Sequence, residues 1–554
     1  MVRRRFAFWR CREVASRGCH RAAMASMHYN CPLHLATRDE AGLPMILKLF
    51  PQRPDHLLAD GKELKRITAE LLVERPGNAV DEVTSWLESL KHARNFRVDH
   101  YFDVLRQLDD AAHPHLRRLA RDYVQSPHLS PAEQSRIWTR CRGFWNEVAA
   151  SYSLCLARAR LDPRSKGSEA LKASLPLAEA RLLAARRCQL KWLAYRYAAG
   201  GAELWQALGA SYLAAEQAGY AQKSVQLYPA QHGLSNVQQQ YAHALVFCSS
   251  SMDGLTPEQI ELADRLIAHF LSAFVLSPTP RTDSVYWVDA ATGEPPTRLS
   301  RRPGVIRPSL RYLSPAPALA ALDELVHRLE HGDLPANLNL GGEYPPKLVL
   351  AVLRHLRPYW ALQPPQRQHR RHAIRTQMTV LEGFEQCYMV FAGAALQLQD
   401  DPARQKWLVD NISLGGFRAL LDRSSEGTVR LGALLCMQAE GGDNWLLGVV
   451  RRLGALPDGV ATVGVQVLSR RARSVDLRPR RSGFAAAVAI PGICLGDDHG
   501  AADVLRILLP LGGFQVRDNL DLNLDGRLSV LVPLEVEESG GDFEIARFRQ
   551  EPVG

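Results

Sequence analysis

A closely spaced pair of arginines is the first feature of this sequence suited to binding a ligand. Arg371-x-x-x-Arg375, with Arg370 beside it, lies just ahead of a predicted strand. A guanidinium group pairs bidentately with phosphate oxygens or with guanine O6 and N7, and its flat face stacks on a base. A solvated basic linker is the alternative, because a chain with 58 arginines contains Arg-x-x-x-Arg by chance roughly six times.

A rarer motif follows in the next predicted hairpin. Asn411-x-Ser413-x-x-Gly416 lies between two predicted strands, and a match is expected by chance only about 0.2 times at this composition. Asn411 and Ser413 offer amide, hydroxyl and backbone groups, while Gly415 and Gly416 allow a ligand to approach the backbone closely. A plain hairpin turn is the alternative, since these residue types favour turns in any case.

Together the two motifs resemble the R-x-x-x-R and [D/N]-x-S-x-x-G motifs of PilZ domains, the bacterial receptors for cyclic di-GMP. Val449-Val450-Arg451 and the strand Val463-Gly464-Val465-Gln466 are similar to later parts of that family, so the resemblance covers about 367–470. It implies a small antiparallel barrel and a ligand with two phosphates and two guanines. The implied ligand-binding residues are Arg370, Arg371, Arg375, Asn411, Ser413, Gly415 and Gly416.

The sequence departs from the family pattern between the two motifs. Residues 383–405 form an extra stretch, longer than a minimal family member needs. This stretch could lengthen the first hairpin or displace the arginine segment from the ligand pocket. We therefore keep open a PilZ-like barrel that binds no nucleotide.

The net charge of +10 is concentrated in three basic segments. Residues 1–23, 367–375 and 470–481 carry +6, +4 and +5, so the rest of the chain carries −5. Residues 1–26 are expected to be a disordered leader or the result of a start codon placed too early. The third segment is expected to be a solvated linker, or else to lie near the ligand pocket or face an acidic partner or a membrane. The second and third segments lack the interleaved aromatic residues typical of nucleic-acid binding, which argues against that partner.

The hydrophobic periodicity predicts a multidomain α+β protein. A helical domain is expected over 27–278, a mixed linker region with two helices over 279–366, a PilZ-like β-barrel over 367–475 and a C-terminal β extension over 476–554. The fold class is thus an N-terminal all-α helical bundle or array followed by a C-terminal antiparallel β-barrel with additional strands. We find no apolar run long enough to span a membrane. The ten cysteines include no C-x-x-C pair, which fits a reducing cytoplasm.

Several local patterns refine the helical part. Helix starts are predicted at Ser130-Pro131-Ala132-Glu133 and at Thr256-Pro257-Glu258-Gln259. Trp205-x-x-Leu208-Gly209-x-x-Tyr212 resembles one tetratricopeptide repeat, but no second copy exists, which favours a helix hairpin in a bundle over a peptide-binding array. A cluster of possible metal ligands is interpreted as the polar end of a helix before Pro114. Its members are Asp109, Asp110, His113 and His115.

The second half of the chain alternates with the period of β-strands. Asp521-x-Asn523-x-Asp525-Gly526 begins like a calcium loop but is predicted to be a hairpin turn. The strands predicted for the barrel are 376–382, 406–411, 417–421, 429–437, 445–453 and 460–468. Those predicted beyond it are 484–489, 504–509, 513–523 and 528–536.

These features predict a cytoplasmic bacterial receptor that binds cyclic di-GMP and relays binding to a helical region with a protein partner. No catalytic motif is present in the sequence, so we predict neither an enzyme nor a cofactor or metal site. The alternative is a helical scaffold or adaptor whose barrel binds no nucleotide.

Overall fold

The computed structural model describes residues 54–552, with gaps at 127, 230–232, 334, 336–337, 367–368, 396–403, 422–428, 457, 481–487, 497–502 and 525. The predicted leader, residues 1–26, lies outside this part. A helical region, a small sheet and two β-barrels follow one another, which confirms the α+β fold class. None of the described helices is long and apolar enough to cross a membrane. The helices before the barrels are α1 (Gly61–Val73), α2 (Pro76–Lys91), α3 (Val98–Gln125), α4 (Pro131–Leu161), α5 (Lys166–Leu171), α6 (Leu175–Ala194), α7 (Ala202–Gln217), α8 (Val237–Ser249), α9 (Pro257–His269), α10 (Ala316–Glu330) and α11 (Pro346–Trp360).

Helix starts in this region follow from capping residues, as predicted. Ser130 accepts a hydrogen bond from the backbone N–H of Glu133, whose carboxylate in turn accepts from the N–H of Ser130. Thr256 and Gln259 make the same reciprocal pair at the start of α9. The apolar stripe of α4 is buried in the common core of the helical region. Its members are Cys141, Phe144, Val148, Tyr152 and Cys155.

The predicted helix end before Pro114 is wrong. Helix α3 runs through Pro114 and continues to Gln125. Proline removes one backbone hydrogen bond, but buried leucines on both sides of it, including Leu108 and Leu116, hold the helix in the core. The two aspartates there form ion pairs with an arginine side chain. Arg181 of α6 lies 3.3 Å from Asp109 and 2.7 Å from Asp110.

The tetratricopeptide-like motif belongs to a pair of helices inside the bundle. Tyr212 of α7 stacks on Tyr241 of α8, with ring centroids 4.7 Å apart. The two helices are joined by residues 218–236, a connection too long for a 34-residue repeat of two helices and a turn. Gly209 serves packing, because a Cβ there would lie 2.0 Å from the carbonyl oxygen of Ala290.

A four-stranded antiparallel sheet packs against the helices in the predicted mixed region. Its strands are β1 (Val275–Ser277), β2 (Tyr286–Asp289), β3 (Thr297–Arg298) and β4 (Leu310–Ser314), in the order β1-β4-β2-β3. All five residues of β4 are buried. Helices α10 and α11 follow this sheet, close to the two predicted helices.

The first barrel contains the six predicted strands. They are β5 (His372–Glu382), β6 (Gln405–Ser413), β7 (Gly416–Leu420), β8 (Leu434–Ala439), β9 (Trp445–Ala455) and β10 (Ala461–Ser469). They close in the order β10-β7-β6-β5-β8-β9. Side chains that alternate along the strands fill the interior, among them Met378, Trp407, Phe417 and Val465.

The C-terminal β extension is a second closed barrel. Its strands are β11 (Arg473–Pro479), β12 (Ile490–Cys494), β13 (Val504–Pro510), β14 (Leu520–Leu524), β15 (Arg527–Ser539) and β16 (Phe543–Pro552), in the order β11-β12-β13-β16-β15-β14. Numbered along the chain, both barrels close as 1-2-3-6-5-4. The calcium-like segment is a hairpin, since Leu524 pairs with Arg527.

One linker prediction and two strand predictions need correction in the second barrel. The basic segment 470–481 is not a linker throughout, because β11 occupies most of it and runs across the predicted domain boundary at 475/476. Val475 and Leu477 of β11 point into the second core, between arginines that hid the alternation. The predicted strand 484–489 falls largely outside the described residues, and the strand there begins at Ile490. Only the last part of 513–523 is a strand.

An apolar core joins the two barrels. Helix α12 (Phe384–Met389) and the turn after it lie between them, with Phe384 and Cys387 packed against both. The first barrel contributes side chains from β5, β8 and β9, and the second from residues in or next to β12, β13 and β16. The carboxylate of Asp542 accepts a hydrogen bond from the N–H of Phe384, 2.6 Å away.

The first barrel also contacts the helical region. The N–H of Ala455 donates to the carbonyl of Tyr197 over 3.1 Å. One residue pair adds an ionic contact, Arg452 to Asp253 at 3.4 Å. Both contacts come from β9, whose Arg451 reaches Glu538 of the second barrel. Strand β9 therefore contacts both the helical region and the second barrel.

Candidate functional site

Strand register brings the two polar motifs to one end of the first barrel. Ala373 of β5 pairs with Asn411 of β6, and His372 pairs with Ile412. The first residues of β5 therefore lie beside the last residues of β6. The arginine segment and the turn motif share one barrel end because their strands run antiparallel.

The three arginines of the first motif lie on the surface. Arg370 and Arg371 precede β5 and are exposed. Arg375 lies in a bulge, because the pairing with β6 passes from Ala373 directly to Thr376. A bulge re-aims side chains, and Arg375 is exposed while the adjacent Ile374 packs against the barrel core.

The second motif forms a tight hairpin turn. Ser413 pairs with Gly416, so only Leu414 and Gly415 form the loop between β6 and β7. The hydroxyl of Ser413 donates to the carbonyl of Gly416 over 3.0 Å, and the N–H of Val467 donates to the carbonyl of Gly415 over 3.1 Å. Ser413 thus stiffens the turn from within, and β10 holds it from outside.

Gly416 is required by packing against β10. A Cβ added there would lie 2.1 Å from the carbonyl oxygen of Val465, far inside van der Waals contact. A Cβ at Gly415 would meet only His369, at 3.4 Å. The two glycines therefore differ: Gly416 keeps β7 and β10 in contact, whereas Gly415 lies exposed at the tip of the turn.

Asn411 has one amide atom in use and one without a partner. Its Nδ2 donates to Asp410 over 2.9 Å, whereas its Oδ1 is buried and accepts no hydrogen bond from any described residue. A buried acceptor left unpaired costs free energy, so it favours a donor brought by a ligand. Asp410 is itself bound by Arg418 of β7, and this hydrogen bonding raises the pKa of Arg418.

The extra stretch 383–405 begins at the other end of β5. Glu382 lies seven residues along β5 from Arg375, which at the usual rise is about 23 Å of strand. The part of the stretch that is described includes α12, packed between the barrels. Its described residues therefore do not displace the arginine segment.

Sequence reasoning missed two further side chains at this site. Arg418 holds Asp410 beside Asn411, and Arg470 donates to the carbonyl of Leu414 in the turn over 2.6 Å. Arginine is so common in this chain that neither position stood out. Arg418 alternates with apolar neighbours, which marks only a strand face, and Arg470 is one of several arginines in the basic segment 470–481.

A buried ionic cluster in the helical region is a different kind of feature. Burial alone would raise the pKa of Asp264, but Arg187 and Lys191 hold it well below its usual range. Burial would also raise the pKa of Glu261, but the charge of Lys191 outweighs this effect and lowers that pKa to about 2. Burial lowers the pKa of His243 to about 4, so this ring is neutral at pH 7. In the described part of the chain no group of three or more His, Cys, Asp or Glu is arranged to hold a metal.

A cavity of about 400 Å³ lies where α6, α8 and the small sheet meet. Its walls include Tyr197, Tyr286 and Arg298. None of its lining residues belongs to either motif. Arg298 also donates a hydrogen bond to the carbonyl of Pro365, in the segment that leads to the arginines.

Comparison with known families gives a match in the helical region. Residues 62–281, from α1 to just past β1, match the family described as the N-terminal domain of the cyclic-di-GMP receptor FimW. No curated protein and no solved structure matches the chain. The matched residues lie outside the barrels, so the match is independent of both motifs.

Proposed function

We propose that this protein is a bacterial cyclic di-GMP receptor that binds the dinucleotide at the end of its first, PilZ-like barrel. The observation that carries the proposal is the pairing of Ala373 with Asn411, which joins two motifs separate in the sequence. A second line of support is the family match of the helical region to a receptor named for the same ligand.

The chemistry of the barrel end suits this ligand. Arg370, Arg371 and Arg375 can supply guanidinium groups for phosphates and for guanine edges on one side. On the other side, the unpaired Oδ1 of Asn411, which is buried at the barrel end, would accept from a guanine N–H once binding uncovers it. Gly415 leaves the tip of the turn open to a base, Gly416 lets β7 pack closely on β10, and Ser413 keeps the turn in shape. The role is binding, and no cofactor is required.

The contacts of β9 offer a route from the barrel to the helical region. Ligand contacts at the turn act on β7 and β10, and β10 pairs with β9 along its length. Strand β9 then touches the helical region through Arg452 and Ala455. Binding in the bacterial cytoplasm would shift this contact and so change how the helices meet a protein partner.

Calorimetry of wild type and Arg371→Ala/Arg375→Ala tests the proposal. Hydrogen bonds to charged groups contribute roughly 1.5–3 kcal/mol each, so losing two weakens binding by about a hundredfold or more. Arg354→Ala/Arg357→Ala on α11 is the matched control, since it removes the same charge from exposed side chains. Equal affinity of wild type and the first double variant would refute the site.

A ligand-shift melt separates receptor from scaffold. At a cyclic di-GMP concentration about a hundred times Kd, binding adds about 2.7 kcal/mol to the free energy of unfolding. No stabilisation of the wild-type chain at excess ligand would favour a helical scaffold or adaptor whose barrel binds no nucleotide.

A further inference from the structure

The two barrels are joined by a very short segment that reaches the proposed ligand turn. Strand β10 ends at Ser469 and β11 begins at Arg473, so three residues connect them. The side chain of Arg470 leaves this connection and donates through Nη2 to the carbonyl of Leu414, 2.6 Å away. Leu414 is the tip of the turn that contains the second motif.

The base of Arg470 is held on both sides. Its carbonyl accepts a hydrogen bond from Nδ2 of Asn444 over 3.1 Å, in the turn between β8 and β9. The next N–H, of Arg471, donates to the hydroxyl of Ser469 over 3.0 Å. The carbonyl of Arg471 packs so closely on Gly496 of the second barrel that a Cβ there would lie 2.5 Å from it. Arg470 therefore projects from a fixed backbone.

We propose that Arg470 is a positioning residue of the cyclic di-GMP site and that the second barrel completes this site by fixing it. This inference rests on the proposed function. The turn carries the glycines that a ligand would approach, and Arg470 ties its tip to the joint between the barrels. Holding the turn before binding removes an ordering cost that the ligand would otherwise meet.

The second barrel suits a supporting role. It has the strand order of the first, yet the sequence between its strands 2 and 3, residues 495–503, reads LGDDHGAAD and lacks the Asn-x-Ser-x-x-Gly pattern. What it contributes at the joint is backbone packing, through Gly496 against Arg471. The second barrel thus supports a site that it does not itself carry.

The test compares Arg470→Ala, Arg470→Lys and Arg478→Ala in the full chain. Ordering one or two turn residues corresponds to about a five- to thirtyfold loss of cyclic di-GMP affinity in Arg470→Ala. Lysine keeps one donor and should restore part of the affinity. Arg478→Ala removes the same charge from an exposed position of β11 and should stay within about twofold of wild type.

Hydrogen exchange in ligand-free protein supplies the second readout. Arg470→Ala should speed hydrogen exchange in residues 413–416 by about five- to thirtyfold, the same factor as the loss of affinity, while exchange in β14 and β15 stays unchanged. Unchanged affinity in Arg470→Ala would overturn the proposal. Reduced affinity with unchanged exchange would overturn it too, because Arg470 would then contact the ligand directly. A wild-type chain that binds no cyclic di-GMP would instead refute the proposed function.

Discussion

Replacing Gly416 by alanine tests how closely β7, at the end of the Ser413–Gly416 turn, packs against β10. The added Cβ would lie 2.1 Å from the carbonyl oxygen of Val465 and 3.2 Å from Cα of Gln466. An ordinary contact between carbon and oxygen needs about 3.3 Å. Strand β7 must therefore move away from β10 by about 1 Å, at the pairs that hold the turn.

The expected loss of stability is local and measurable. Overpacking of this kind costs about 1–3 kcal/mol. Amides of β7 and β10 should then exchange hydrogen about 5 to 150 times faster, since each 1.4 kcal/mol is a factor of ten. Exchange mass spectrometry of peptides covering 416–420 and 461–469 measures this, with the second barrel as the internal reference.

Gly415→Ala is the matched control. The new Cβ would contact only the ring of His369, at 3.4 Å, and Gly415 is exposed. Its exchange in β7 and β10 should match that of wild type within about twofold. Equal exchange in Gly416→Ala and wild type would refute the reasoning, and so would equal acceleration in both variants.

The helical region yields two more predictions. The pKa of His243 is lowered to about 4 from an unfolded value of 6.5, so the stability due to its neutral form is complete above pH 6.5 and is lost as pH falls toward 4. Urea unfolding at pH 7.5 and 4.5 should show wild type losing roughly 2–3 kcal/mol more than His243→Gln, and equal losses would contradict this. Gly209→Ala should lower the free energy of unfolding by about 1–3 kcal/mol, because the new Cβ would collide with the carbonyl of Ala290. Gly143→Ala, in α4 with open space around it, should raise the free energy of unfolding by about 0.5–1 kcal/mol. Thermal melts of both variants check the pair, and a shift of the same sign in both would contradict it.

Sequence periodicity predicted most of the fold because local rules decide most of it. The capping residues at Ser130 and Thr256 set the starts of α4 and α9, and alternation located all six strands of the first barrel. Pro114 misled the prediction, since a proline breaks a helix only when packing does not hold both sides. Strand β11 was missed because it is short and only Val475 and Leu477 alternate as buried apolar residues, within a segment rich in arginine.

The candidate site was predicted as two motifs, but its assembly was not. Spacing in the sequence says nothing about which residue of β5 faces Asn411, because register depends on the whole barrel. The contact of Arg470 with Leu414 depends on how two barrels meet, which no local pattern encodes. The second barrel itself was predicted only as extra strands, because closure is a property of long-range pairing.

The two barrels meet through unlike faces, and this has a consequence for self-association. The first barrel packs through β5, β8 and β9, which are its strands 1, 4 and 5. The second packs through β12, β13 and β16, its strands 2, 3 and 6, so the contact has a direction and no twofold symmetry. Such a head-to-tail contact can in principle be repeated by another molecule. The corresponding free face of the first barrel carries Asp410, Arg418 and Gln466 instead of an apolar surface. A further copy docking there would bury these charged side chains, which disfavours head-to-tail stacking of one molecule on another.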